Sequence, residues 1–158
     1  MSLILRFVAK RGAWSGKERS LDRARKDFVR RPVDSDGLSV FEVTCDEDRQ
    51  LVLAARACQN ASDAALDYLE VDRELVAAIG PLLPSVGGTP VAAANGLHRS
   101  LDWSQSQLDE LAARVFAADV SALRVTSADL RRAIAALDPA GITDEDVRAF
   151  VARIADSR

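Results

Sequence analysis

The chain has 158 residues, 48% hydrophobic and 28% charged, with a net charge of −3. That length suits one compact domain with a small appended part, and the composition excludes wholesale disorder. The charge is lopsided: Met1–Arg31 holds ten Lys/Arg against three Asp/Glu, a net of +7, while the remainder holds eleven against twenty-one, a net of −10. Such a split points to an anionic partner or to one half of the chain neutralising the other.

Leu3 to Ala9 is short, apolar and β-compatible, and Arg6 cuts the Leu3–Leu5 run too early for a signal-peptide core. Gly12 and Gly16 mark a turn around Trp14. From Glu18 to Phe28 the pattern predicts a helix, with Leu21, Ala24 and Phe28 on one face and charges elsewhere. Pro32 stops that helix, Asp34-Ser35-Asp36-Gly37 signals a turn, and Leu38–Val43 reads as a strand covered on at least one face. Thr44 and Glu47 have capping-box spacing for a helix running to about Cys58, with Leu51, Ala54 or Ala55, and Cys58 forming its apolar stripe.

Leu66–Val71 fits either a strand or a helical piece, and Asp72–Ile79 a short helix closed by Gly80 and Pro81. Gly80–Gly96, rich in Gly and Pro, is the least regular stretch and has room for a short strand near Leu82–Val86. Beyond Trp103 three apolar stripes predict three helices: Leu108, Leu111, Ala112, Val115; then Leu130, Ile134, Leu137 after Thr126 and Ser127; then Val147, Phe150, Val151, Ile154 after Thr143. The expected fold class is α+β: a small sheet with packed helices over residues 1–103, followed by an all-helical C-terminal part over 104–158.

The motifs that invite chemistry have simpler readings. Gly12-Ala13-Trp14-Ser15-Gly16-Lys17-Glu18 has one residue too few between its glycines for a Walker A loop, and Glu18 stands where a magnesium-binding hydroxyl is needed. Asp34-Ser35-Asp36-Gly37 lacks the third oxygen ligand and the distant bidentate Glu of a calcium loop. Asp46-Glu47-Asp48 and Asp144-Glu145-Asp146 fit the first turns of helices, where the dipole favours carboxylates. Cys45 and Cys58 make neither a disulfide framework nor a zinc site, which suits a reducing, cytoplasmic location. No run approaches a membrane-spanning length, and no cofactor or metal is expected. His98, the lone histidine, follows the Gly/Pro-rich stretch and precedes Asp102 and Trp103. A structural role is the simpler reading, and general-base work the alternative.

The basic segment carries the graded functional argument. Lys17, Arg23, Lys26, Arg30 and Arg31 could face phosphates with Trp14 stacking on a base. Against this stand charge pairing along the helix, such as Asp22 with Lys26, and docking on the acidic remainder within the chain or across a dimer.

The stretch Asp27-Phe28-Val29-Arg30-Arg31-Pro32-Val33-Asp34-Ser35-Asp36-Gly37-Leu38-Ser39-Val40-Phe41, with Trp14 before it and His98 after it, resembles a signature found in small bacterial proteins without an assigned activity. The resemblance covers about residues 3–103. It implies that Phe28, Pro32, Gly37, Leu38, Ser39 and His98 belong together around one site or packing feature, and it suggests a toxin–antitoxin or mobile-element setting.

Three functional readings follow. The first is a non-enzymatic module that binds another macromolecule, with a protein or a second copy as the expected partner and nucleic acid as the alternative for the basic segment. The second is a small enzyme acting on a nucleotide or nucleic acid through His98, Arg30 and Asp36. The third is a structural homo-oligomer.

Overall fold

The computed structural model describes residues 1–31, 37–85 and 87–157. Its centre is a six-stranded antiparallel sheet of β1 (Leu3–Val8), β2 (Leu38–Val43), β3 (Leu66–Asp72), β4 (Leu83–Pro84), β5 (His98–Leu101) and β6 (Leu123–Val125), in the order β4-β5-β2-β1-β3-β6. The helices are α1 (Leu21–Ala24), α2 (Asp46–Asn60), α3 (Arg73–Ala77), α4 (Ala92–Asn95), α5 (Gln105–Ala117), α6 (Ser127–Ala135) and α7 (Glu145–Asp156). The fold is α+β, as the sequence pattern leads one to expect.

Strand alternation divides the apolar residues between two cores. On one face Leu5, Phe41 and Val43 meet α2, α6 and α7 through Leu53, Ile134 and Phe150. On the other, Ile4, Leu38 and Val40 meet Trp14, Phe28 and the α5 stripe of Leu108, Leu111, Ala112 and Val115. Both faces of β2 are therefore covered. The chain after residue 103 is shared between the layers: α5 lies on one face, β6 extends the sheet beside β3, and α6 and α7 lie on the other face. This C-terminal part is helical apart from β6, whose three residues are too few to show alternation.

Two local readings change. The continuous helix expected over 18–28 is a 3₁₀ turn at Gly16–Glu18, the single α turn of α1, and a 3₁₀ turn at Arg25–Phe28. Trp14 and Phe28 must both reach the core, and their rings meet edge-on at 5.8 Å. At α2 the cap is Cys45, and the Thr44 N–H and hydroxyl donate to Asp48 at 2.9 and 2.7 Å, so the Thr44–Glu47 box is not the one used. Similarly, Asp144 rather than Thr143 caps α7, accepting from the Val147 N–H. Leu66–Val71, open between strand and helix on sequence, lies in β3 and pairs with β1.

Several carboxylates are held below their usual range. At Glu42 burial pushes the pKa up, but the Ser2 hydroxyl at 2.9 Å and the guanidiniums of Arg73 at 2.8 Å and Arg99 at 3.1 Å outweigh it. Asp48 is lowered by Thr44, Asp63 by Arg131 and Asp67 by Arg124. A carboxylate whose folded pKa lies below its unfolded value adds stability above the unfolded pKa and loses it as pH falls through the folded one. Thermal melts are therefore expected to be flat from neutral pH to about pH 5 and to drop steeply below about pH 4. Glu42→Gln is expected to cost about 1–2 kcal/mol at neutral pH and to make the acid limb shallower; a variant with an unchanged acid limb would remove Glu42 from this account.

Candidate functional site

The site forms where the sheet parts. β1 pairs with β2 only at Leu3↔Val43, Ile4↔Glu42 and Leu5↔Phe41, whereas β1 stays on β3 to Val8↔Asp67 and β2 stays on β5 to Leu38↔Leu101. The two central strands thus diverge after Leu5. The gap opens into a cleft of about 820 Å³, within the size range of small-ligand sites.

One buried carboxylate organises its floor. Asp27, 8% exposed, accepts from the Trp14 indole N–H at 2.8 Å and from the Ala9 N–H at 2.9 Å. Its own carbonyl accepts from Arg6 Nε at 3.0 Å and Nη2 at 2.7 Å, and Arg6 Nη1 donates across the gap to the Ser39 carbonyl at 2.9 Å. The 3₁₀ turn Arg25–Phe28, the exit of β1 and the start of β2 are thereby tied to one another.

Four cationic side chains line the cleft: Arg6, Lys26, Arg31 and Arg56. Asp27 is the one carboxylate among the described lining residues, and it is engaged below them. Arg56 of α2 donates to Gln59 at 3.1 Å and sits over the Phe7 ring, its guanidinium carbon 5.3 Å from the ring centroid. Burial, together with the nearby charge of Arg31, lowers the pKa of Arg56 from the usual guanidinium value. A bound anion would relieve that repulsion and supply charge-assisted hydrogen bonds.

His98 forms part of the far wall. It is 5% exposed, stacks on Phe41 at 5.0 Å, and places Nδ1 3.0 Å from the Gly87 carbonyl. A carbonyl only accepts, so this contact places a proton on Nδ1. Gly88 packs flat against the imidazole at φ +102°; a Cβ there would lie 2.6 Å from His98 Cε1. The Gly88 carbonyl also accepts from Gln59 Nε2 at 3.1 Å, which ties this loop to α2 beside Arg56.

Of the basic residues singled out by sequence, the cleft gathers Lys26 and Arg31. Trp14 is 1% exposed, under Phe28 and Phe116, so stacking on a partner's base is closed to it. Lys17 is exposed on the Gly16–Glu18 turn outside the cleft, and Arg23 pairs with Glu18 at 3.4 Å. Arg30 pairs with Asp102 at 2.7 Å and is not among the residues that line the cleft with His98. Asp36 and Pro32 lie outside the described residues. Gly37, Leu38, Ser39 and His98 line the cleft, with Phe28 in the core beside it.

Cys58 is buried, and burial pushes its thiol up to about 11, consistent with its place on the apolar stripe. No group of three or more His, Cys, Asp or Glu among the described residues is arranged to hold a metal ion. No helix among them is long and apolar enough to cross a membrane.

Arg6 and Arg56 line the site but were not singled out from the sequence. Each had a signal. Arg6 interrupts an apolar strand, and Arg56 is the lone charge in the run Leu51–Cys58. Comparison with protein-family models, with curated proteins and with solved structures gives no match.

Two substitutions test this architecture. Asp27→Ala leaves the Trp14 and Ala9 donors without an acceptor and is expected to cost about 2–4 kcal/mol in denaturant unfolding, against about 0.5 or less for the exposed Asp22→Ala. Gly88→Ala is expected to cost about 1–2 kcal/mol and to move the imidazole NMR signals of His98. Unshifted His98 signals would mean that the loop does not rest on the ring.

Proposed function

We propose that this protein is a non-enzymatic binding module whose cleft takes a phosphate-bearing ligand of nucleotide size, either a small molecule or one unit of a larger partner. The observation that carries the reading is the convergence of Lys26 and Arg56 on a single cavity. Neither has a carboxylate partner among the described residues, and Arg56 is disfavoured by burial and by Arg31. Phe7 and Phe41 add apolar surface for a base, and the exposed Ser39 hydroxyl adds hydrogen-bonding capacity. His98 serves here as a wall and orienting group.

The intrachain pairs Arg19–Asp119, Arg23–Glu18, Arg25–Asp22 and Arg30–Asp102 bear on the alternatives. They favour internal neutralisation of the basic segment over its docking, in a homo-oligomer, on the acidic surface of a second copy. Fully exposed members of these pairs contribute little to stability, but they lower the field that a partner would meet.

The test is a thermal-shift and calorimetric titration with nucleoside mono- and diphosphates and inorganic pyrophosphate, with unphosphorylated nucleosides as controls. Saturation at about a hundred times Kd is expected to stabilise the fold by about 2.7 kcal/mol. Arg56→Glu is expected to weaken binding at least about tenfold, and Lys17→Glu to leave it unchanged. Phosphate-independent shifts, or wild-type affinity in Arg56→Glu, would overturn the proposal.

A further inference from the structure

The cleft does not end at β1. A second cavity of about 680 Å³ lies beyond the strand's exit, and Ala9 lines both. Lys10, Arg11 and Arg124 are on its walls. Its carboxylate, Asp67, is already held by Nε and Nη2 of Arg124, at 2.7 and 2.9 Å. Lys10 and Arg11 are both exposed; Lys10 has no carboxylate partner among the described residues, and Arg11 lies near enough to Asp67 to help lower its pKa.

Cations therefore line both cavities, Arg56 and Lys26 on one side of Ala9 and Lys10 and Arg11 on the other. A single nucleotide fills one cavity and leaves the other empty. An anion with charges at regular intervals engages both.

We infer that the ligand of the cleft is a single-stranded polynucleotide whose backbone runs from the Arg56 cavity over Ala9 into the Lys10–Arg11 cavity. This inference rests on the phosphate-binding reading above and adds length and path to it. The track is sequence-independent in kind, since its contacts are charges and the Phe7 ring rather than a set of base-edge donors.

Fluorescence anisotropy with a labelled mononucleotide, tetramer and octamer, in deoxyribose and ribose arms, tests it on the full chain. Affinity is expected to rise at least about tenfold from mononucleotide to octamer. The log–log salt slope for the octamer should become shallower by about 0.7 for each phosphate contact removed. Lys10→Glu with Arg11→Glu should weaken the octamer about tenfold and leave the mononucleotide unchanged, whereas Arg56→Glu should weaken both. A difference between the two arms would identify DNA or RNA as the source of the strand. Equal affinity for mononucleotide and octamer, or equal affinity for a duplex octamer, would overturn this inference and leave the phosphate site standing. Failure of every phosphate ligand to bind would remove both.

Discussion

Asp27 is the carboxylate on which the arrangement of the N-terminal third depends. It sits below the surface with one oxygen on the Trp14 indole and the other on the Ala9 amide, while its backbone carbonyl receives the Arg6 guanidinium. A buried acid is costly unless its lone pairs are occupied, and here the occupants come from different parts of the fold. Trp14 brings the loop after β1, Ala9 the strand's exit, and Arg6 the strand itself. Once those bonds form, the 3₁₀ turn that carries Lys26 has little freedom in where it lies, and the exposed side of that turn becomes one wall of the cleft.

The +7 excess of the first 31 residues looks different when each charge is followed to its neighbours. Arg19, Arg23, Arg25 and Arg30 meet acids within the chain, and Arg6 is drawn into backbone bonding. The charges that shape the cleft are fewer and come from separated places: Lys26 and Arg31 from the basic segment, Arg56 from a helix in the half of the chain with an acidic total. Net charge over a segment is a statement about long-range field. A site is a statement about which charges share one low-dielectric cavity, and the two need not coincide.

Where a repeating pattern reports burial, the fold was legible from sequence. β1, β2 and the stripes of α2, α5, α6 and α7 are long enough for period 2 or 3.6 to show, and their apolar positions are those found in the two cores. β6 had only Val125 buried among three residues, so alternation had nothing to display. The helix over 18–28 failed because the spacing of Leu21, Ala24 and Phe28 is compatible with a helix but does not require one; tertiary demand from Trp14 and Asp27 bent the segment into shorter turns. The site was legible only in part for a related reason. His98, Ser39 and Arg31 meet through strand register and a long return of the chain, which no local spacing reports. A single arginine inside an apolar run was the better clue than the density of charge.

The parting of β1 from β2 raises a problem of backbone satisfaction, since two central strands that stop pairing leave ladder groups facing the gap. Val43 and Phe41 lie opposite Leu3 and Leu5 on β1, and Ser39 is the next position of that series, so its carbonyl faces the place where β1 would have continued. Arg6 occupies that carbonyl with a side-chain N–H instead of a strand amide. An apolar residue at position 6 would leave the carbonyl to water or draw the strands together, and drawing them together would close the cleft. Lysine would bring charge but not the planar fork that reaches Asp27 and Ser39 at once. Arginine here holds the sheet open while satisfying it, and the positive field it adds to the cleft comes from the same group that keeps the cleft in existence.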